Sequence, residues 1–189
     1  MVTNRESGLS ALATALTGWA PKWGLHIETN RSPNILVNVE ARMSDVTDWS
    51  ILGDWVGKQI MPTWDLPWGP MPRFGGLPRA NNEMQKALTA SAANYGCPML
   101  WADGITPDAP LVDEFQGNLN FTDEDLRGRY RELSPKGKVD LVVIGCPQAS
   151  VGEARETAAA VRAKMELGEA IPNHLSLIHI SEPTRLRSI

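Results

Sequence analysis

Apolar and polar positions alternate along this chain with two periods, and the period switches several times. Leu9, Leu12, Ala13 and Leu16 recur at helical spacing, which predicts a helix over residues 7–17 with Gly18 as its stop. Val46, Trp49, Leu52, Val56 and Ile60 repeat that spacing and predict a second helix over 45–60 with a buried stripe. Residues 24–28 and 34–42 read as strands, the second alternating apolar and polar. The stretch 62–78 is dense in proline, glycine and tryptophan and reads as a long loop. A helix over 82–95, a short strand over 98–102 and a turn at 104–107 follow. The pattern is then irregular until Thr122, after which Asp123, Glu124 and Asp125 suit the positive end of a helix dipole.

Residues 139–153 carry the clearest local signal. VDLVVIG is a short apolar run rich in β-branched residues, the pattern of a buried parallel strand over 139–145. It ends on Gly145, Cys146 and Pro147, and a helix over 150–166 starts at once. Ser150 and Glu153 have the spacing of a capping box. Such a strand delivers Cys146 to the carboxyl edge of a sheet, where ligands of open α/β folds bind and helix N–H groups stabilise thiolates. The alternation as a whole implies a layered α/β/α fold with a largely parallel sheet.

Composition narrows the function classes. The formal charge is −4, which argues against a nucleic-acid partner, since phosphate binding needs a clustered positive face. No apolar run reaches the length of a membrane-spanning helix. The two cysteines, Cys97 and Cys146, show no metal-ligand spacing and suit a reducing cytoplasm. No basic segment followed by an apolar one precedes the first helix, so no secretory signal is expected. Residues 175–189 open with LSLIHISEPTR, the in-frame translation of a transposon-type sequencing adapter, and are set aside as an adapter-derived artefact. Without them the net charge moves to −5, because one acidic and two basic residues leave the count. Residues 1–174 then suffice for one domain with a real core, expected to be truncated at both ends.

Four short motifs carry candidate chemistry. Asn4 and Arg5 stand at the entrance to the first helix, where Arg5 offers a planar donor fork for carboxylate or phosphate. The competing reading is an ordinary cap with a solvated arginine. His26, in GLHIETNR, is a candidate general base or a hydrogen-bonded structural residue. Thr106, in GITPDA, has a hydroxyl that either faces a ligand or braces the turn. Cys146, in GCPQAS, is a candidate ligand or nucleophile, or a buried hydrophobe.

In this order and spacing, TNRES, GLHIETNR, GITPDAP and VDLVVIGCPQAS resemble the large, catalytic subunit of the aconitase X family, from Thr3 to about Lys164. The resemblance implies a partial aconitase-like domain. It implies a dehydratase acting on a small hydroxy acid such as cis-3-hydroxy-L-proline or mevalonate 5-phosphate. It also implies an iron–sulfur cluster acting as Lewis acid and a small swivelling partner subunit or domain. By position it makes Cys146 a cluster ligand, and Asn4 and Arg5 active-site residues that hold a substrate carboxylate or phosphate; Thr106 is counted with them as substrate-binding on the reading of its own turn. The chain departs from the family pattern at Ser7 and Leu9, which replace a glycine and a proline, and at Gln148, where a histidine is common. Two other readings stay open. One is an enzyme with Cys146 as nucleophile and His26 as its base; the other is a non-catalytic binding or assembly module using the Pro/Trp-rich loop.

Overall fold

Four parallel strands frame the first part of the molecule, a computed structural model that describes residues 8–61, 68–107, 109–144 and 149–169 and the backbone of 174–177. The chain divides into two units, Met1–Glu132 and Leu133–Ile189. In the first, β1 (Ile35–Val39), β2 (Pro72–Gly75), β3 (Trp101–Ala102) and β4 (Gly117–Phe121) lie in the order β3-β2-β1-β4. Asn38 of the central β1 stands opposite Gly75 on one side and Asn120 on the other.

Helices α2 (Val46–Ile60) and α3 (Asn82–Ala93) make the crossovers, and α4 (Asp123–Leu133) follows β4. Asp45 starts α2 by accepting from the N–H groups of Thr47 (2.7 Å) and Asp48 (3.2 Å), while Asp48 returns the bond to complete a capping box. The expected stripe is buried: Trp49, Leu52, Val56 and Ile60 are all within 2 % exposure, and Val46 packs against them. They share one core with Ile35, Val37, Val39, Phe74 and Phe121 of the sheet, Leu88 and Ala92 of α3, and Leu126 of α4. Three helices are thus gathered on one face of the sheet. Glycine permits α2 and α3 to approach closely, because a Cβ at Gly53 would lie 2.5 Å from the Leu88 carbonyl oxygen and 2.8 Å from Ser91 Cβ.

Two polar clamps lock α4 onto this layer. Asp54 of α2 accepts from Arg129 Nε (2.8 Å) and from the Tyr95 hydroxyl (2.7 Å). Arg129 is buried, pairs with Asp54 and Glu132, and Glu132 also takes Lys58 Nζ at 2.7 Å. In the second clamp, Asp48 accepts from the Tyr130 hydroxyl (2.8 Å), the Ser44 hydroxyl (2.8 Å) and the Ser44 N–H (2.6 Å). Every buried side-chain polar atom among the described residues has a partner.

The second unit holds β5 (Leu141–Ile144), α5 (Val151–Glu166) and β6 (His174–Leu177), with β5 and β6 parallel. The capping box forms as read, Glu153 N–H to Ser150 Oγ at 3.1 Å and Ser150 N–H to Glu153 Oε2 at 2.6 Å. Three of the β6 residues, 175–177, fall in the stretch read as adapter-derived.

Three expectations about elements are corrected. Residues 24–28 do not form a strand but enter two single-turn 3₁₀ helices, Gly24–His26 and Glu28–Arg31. Gly24 has φ +60°, and Asn30 Nδ2 and Arg31 Nη1 donate to the Gly24 and Leu25 carbonyls at 3.0 Å, folding the segment onto itself. The Pro/Gly-rich stretch is not loop throughout, since β2 is an interior strand that tolerates Pro72 at its first position. The irregular stretch before Thr122 contains β4, whose GNLNF sequence is a poor strand former and is held by pairing with β1. The first helix is present as α1 (Gly8–Thr17), with Leu9, Leu12 and Leu16 exposed.

Two stability predictions follow from the helix layer. Gly53→Ala should cost about 1–3 kcal/mol through the forced separation of α2 and α3, read as a lowered urea midpoint. Burial works against ionisation of Asp48, but its hydrogen bonds from Ser44, Tyr130 and Asp45 outweigh it and hold the carboxyl below its ordinary value. Hydrogen bonds from Lys58 and Arg129 hold Glu132 down at about 2. Both groups therefore stabilise the fold fully above the ordinary carboxylate range, and that contribution is lost as pH falls through the lowered values. Tyr130→Phe removes a donor from Asp48, so acid unfolding followed by circular dichroism should begin at higher pH.

Candidate functional site at the carboxyl edge of the sheet

The residues that end the parallel strands gather the polar chemistry of the first unit. β3 runs into a turn at residues 103–106, where Gly104 adopts φ +71°, a left-handed conformation that favours glycine. The Thr106 hydroxyl accepts from the Ala102 N–H at 2.8 Å and donates to the Ala102 carbonyl at 3.0 Å. The backbone N–H of Thr106 reaches the same carbonyl at 2.9 Å. This is why the sequence reads Gly-Ile-Thr: glycine reverses the chain and threonine staples it shut. The hydroxyl keeps one lone pair beyond the staple.

Beside this turn, Arg73 Nε donates to Asp103 Oδ1 at 2.8 Å and Arg73 Nη1 to the Pro110 carbonyl at 3.0 Å. On the next strands Asn38 Nδ2 donates to Asn120 Oδ1 at 3.0 Å. At the crevice between β1 and β4, where the strand order reverses, the Glu40 and Ala41 N–H groups both reach the Phe121 carbonyl, at 2.9 and 3.0 Å. Arg42 closes the same edge with a forked pair to Asp123, Nε at 3.2 Å and Nη2 at 3.0 Å. Hydrogen bonds from the Arg42 backbone and side chain hold the Asp123 carboxyl below its usual range.

Of the sequence-derived candidates, Thr106 sits at this edge. His26 lies in a 3₁₀ turn and not on a strand, with its backbone N–H bonded to the Trp23 carbonyl at 3.2 Å. Cys97 is a core residue at 5 % exposure. Asn4, Arg5 and Cys146 lie outside the described residues, as does 62–67 of the Pro/Trp-rich stretch. The described chain does lead to Cys146 from both sides, with β5 ending at Ile144 and Ser150 capping α5. Among the described residues no group of three His, Cys, Asp or Glu side chains can hold a metal ion. No described helix is long and apolar enough to cross a membrane. Asn38, Asn120, Arg73 and Asp103 were missed by motif reading. Asn38 alone left a signal, an asparagine inside a strand whose other positions are apolar.

Comparison with known proteins places this edge in a family. The family model "Aconitase X second domain" matches residues 33–131, which span the whole four-stranded sheet, α2, α3 and all but the last two residues of α4. The chain belongs to the aconitase X family. Among curated proteins, this aconitase X chain is 32 % identical over 164 residues to a phosphomevalonate dehydratase large subunit of Thermococcus kodakarensis, covering 85 % of the chain and 40 % of the relative. It is 34 % identical over 170 residues to a cis-3-hydroxy-L-proline dehydratase of Pseudomonas aeruginosa, covering 83 % of the chain and 28 % of the relative. A crystal structure of Thermococcus kodakaraensis aconitase X in its holo form superposes with TM-score 0.72 at 27 % identity, over 95 % of the chain and 52 % of that structure. The chain thus spans about two fifths or less of these curated relatives.

The turn itself is testable. Thr106→Ala removes the acceptor of the Ala102 N–H, and amide exchange at Ala102 should accelerate about 10-fold. Thr106→Ser, which keeps the hydroxyl, should restore slow exchange.

Proposed function

We propose that this chain is part of the catalytic large subunit of a hydro-lyase that dehydrates a small hydroxy acid of the phosphomevalonate or cis-3-hydroxy-L-proline type. The observation that carries this is the family match over residues 33–131 together with relatives named as dehydratases of both substrates. The words "large subunit" in a relative's name support a small partner subunit or domain. A reducing compartment such as the cytoplasm suits a chain whose chemistry depends on a thiolate.

Elimination of water asks for a polarised leaving oxygen, a base for the proton and a cation for the substrate's anionic end. We assign the last role to Arg5, with Asn4 beside it, and assign Thr106 to the substrate through the lone pair left by its staple. An iron–sulfur cluster would supply the Lewis acid, and Cys146 is our proposed ligand from this chain. The described residues do not themselves provide a cluster site, because they contain no group of three candidate ligands. One thiolate does not hold a cluster, so the remaining ligands would come from polypeptide that this chain does not span, and they would complete the site around Cys146.

The test is anaerobic iron loading of the full-length large subunit with its partner, before and after Cys146→Ser. Loss of bound iron and of the cluster's visible absorbance, along with dehydratase activity, is the expected result. Unchanged iron content in the variant would remove Cys146 from the ligand set. Absence of dehydration of either substrate by the wild-type complex would remove the function.

A further inference from the structure

One register line across the sheet carries polar groups on the face away from the helices. Asn120, Asn38 and Gly75 stand opposite one another on β4, β1 and β2. Asp103 follows β3 and sits beside Gly75, its N–H bonded to the Phe74 carbonyl at 2.9 Å. One residue earlier on three of these strands, Val37, Phe74 and Ala102 are buried, as side-chain alternation requires. Parallel strands are ordinarily apolar on both faces. An amide in the middle of the central strand is therefore a departure that asks for a role.

The polar atoms on this line are oriented. Donation from Asn38 Nδ2 to Asn120 Oδ1 turns Asn38 Oδ1 toward Gly75. Donation from Arg73 Nε to Asp103 Oδ1 leaves Asp103 Oδ2 on the Gly75 side. A methyl group at Gly75 would lie 3.6 Å from Asp103 Oδ2 and 4.0 Å from Asn38 Oδ1. Glycine thus leaves a slot one small group wide, flanked by two acceptor oxygens to which no described residue donates. Such a slot selects hydrogen-bond donors and repels carboxylate or phosphate.

We propose that the row Asn120–Asn38–Gly75–Asp103 is a substrate subsite that seats the hydroxyl of the small hydroxy acid over Gly75, donating to Asp103 Oδ2. Asn38 Oδ1 takes a second donor where the ligand has one, such as the ring ammonium of an imino acid. The anionic end of the ligand then lies elsewhere, away from Asp103. Asp103 and Asn38 are substrate-binding residues in this scheme, Arg73 and Asn120 positioning residues. The inference rests on the dehydratase reading and sharpens it to the residues that recognise the hydroxyl.

Gly75→Ala fills the slot without strain, since Gly75 is outside the left-handed region and the added methyl meets only ordinary contacts. Asp103→Asn keeps the shape and replaces the acceptor by a donor. Kinetics of the full-length large subunit with its partner, on phosphomevalonate and cis-3-hydroxy-L-proline, should show KM raised about 10- to 100-fold in each variant on the substrate the wild type turns over. Thermal midpoints should stay at the wild-type value, and Asn118→Ala, on the same face but off the line, should leave KM unchanged. Asn38→Ala should weaken cis-3-hydroxy-L-proline more than phosphomevalonate, or leave phosphomevalonate unaffected. An active wild type whose KM is unmoved by both Gly75→Ala and Asp103→Asn overturns the subsite alone. A lowered thermal midpoint with unmoved KM also overturns it, by assigning the row to protein packing. A wild type inactive on both substrates overturns the dehydratase reading and the subsite with it.

Discussion

The buried guanidinium of Arg129 is the interaction on which the first unit depends. It pairs with Asp54 in the middle of α2, which also binds Tyr95 just past α3, so one carboxylate ties three helices together. A buried ion pair of this kind does not by itself add much stability, because desolvation offsets the Coulomb gain. Its consequence is geometric. With α2, α3 and α4 tied together on one face, the apolar side chains of the sheet are consumed there, and the polar alternates are directed to the other face.

That division separates packing from chemistry. The core side of each strand is closed, with Val37, Phe74 and Phe121 fully buried. The carboxyl ends and the opposite face carry the charged and amide groups, each oriented by a neighbour: Asp103 by Arg73, Asn38 by Asn120, the Thr106 turn by Ala102. Preorganisation of this type costs the ligand little reordering on binding. The family match covers this sheet and nearly all of its helix layer as one block.

Much of the helix layer was legible in the sequence, because amphipathic periodicity and capping chemistry are local. The stripe from Trp49 to Ile60, the Asp45 start of α2 and the Ser150–Glu153 box all follow from residues within one or two turns of each other. The GITP motif was legible as a turn for the same reason: Gly104 and Thr106 act on their own backbone. The strands fared worse. GLHIE has strand-like residues, yet Asn30 and Arg31 capture its carbonyls from six residues away and wind it into 3₁₀ turns. PRFG and GNLNF have composition suited to loops, yet each gains a parallel partner in β1.

The sequence by itself determined where the capped helices start, which face of α2 is buried, and the family to which the motifs point. Those are properties of residues close in the chain, whose energies do not wait for a partner. Only the tertiary structure decided that residues 38, 75, 103 and 120 share one line, because register between parallel strands is fixed by crossovers and core packing, with separations of up to 82 residues. No local pattern encodes a slot made by the absence of a side chain at Gly75 and by two oxygens brought to it from other strands.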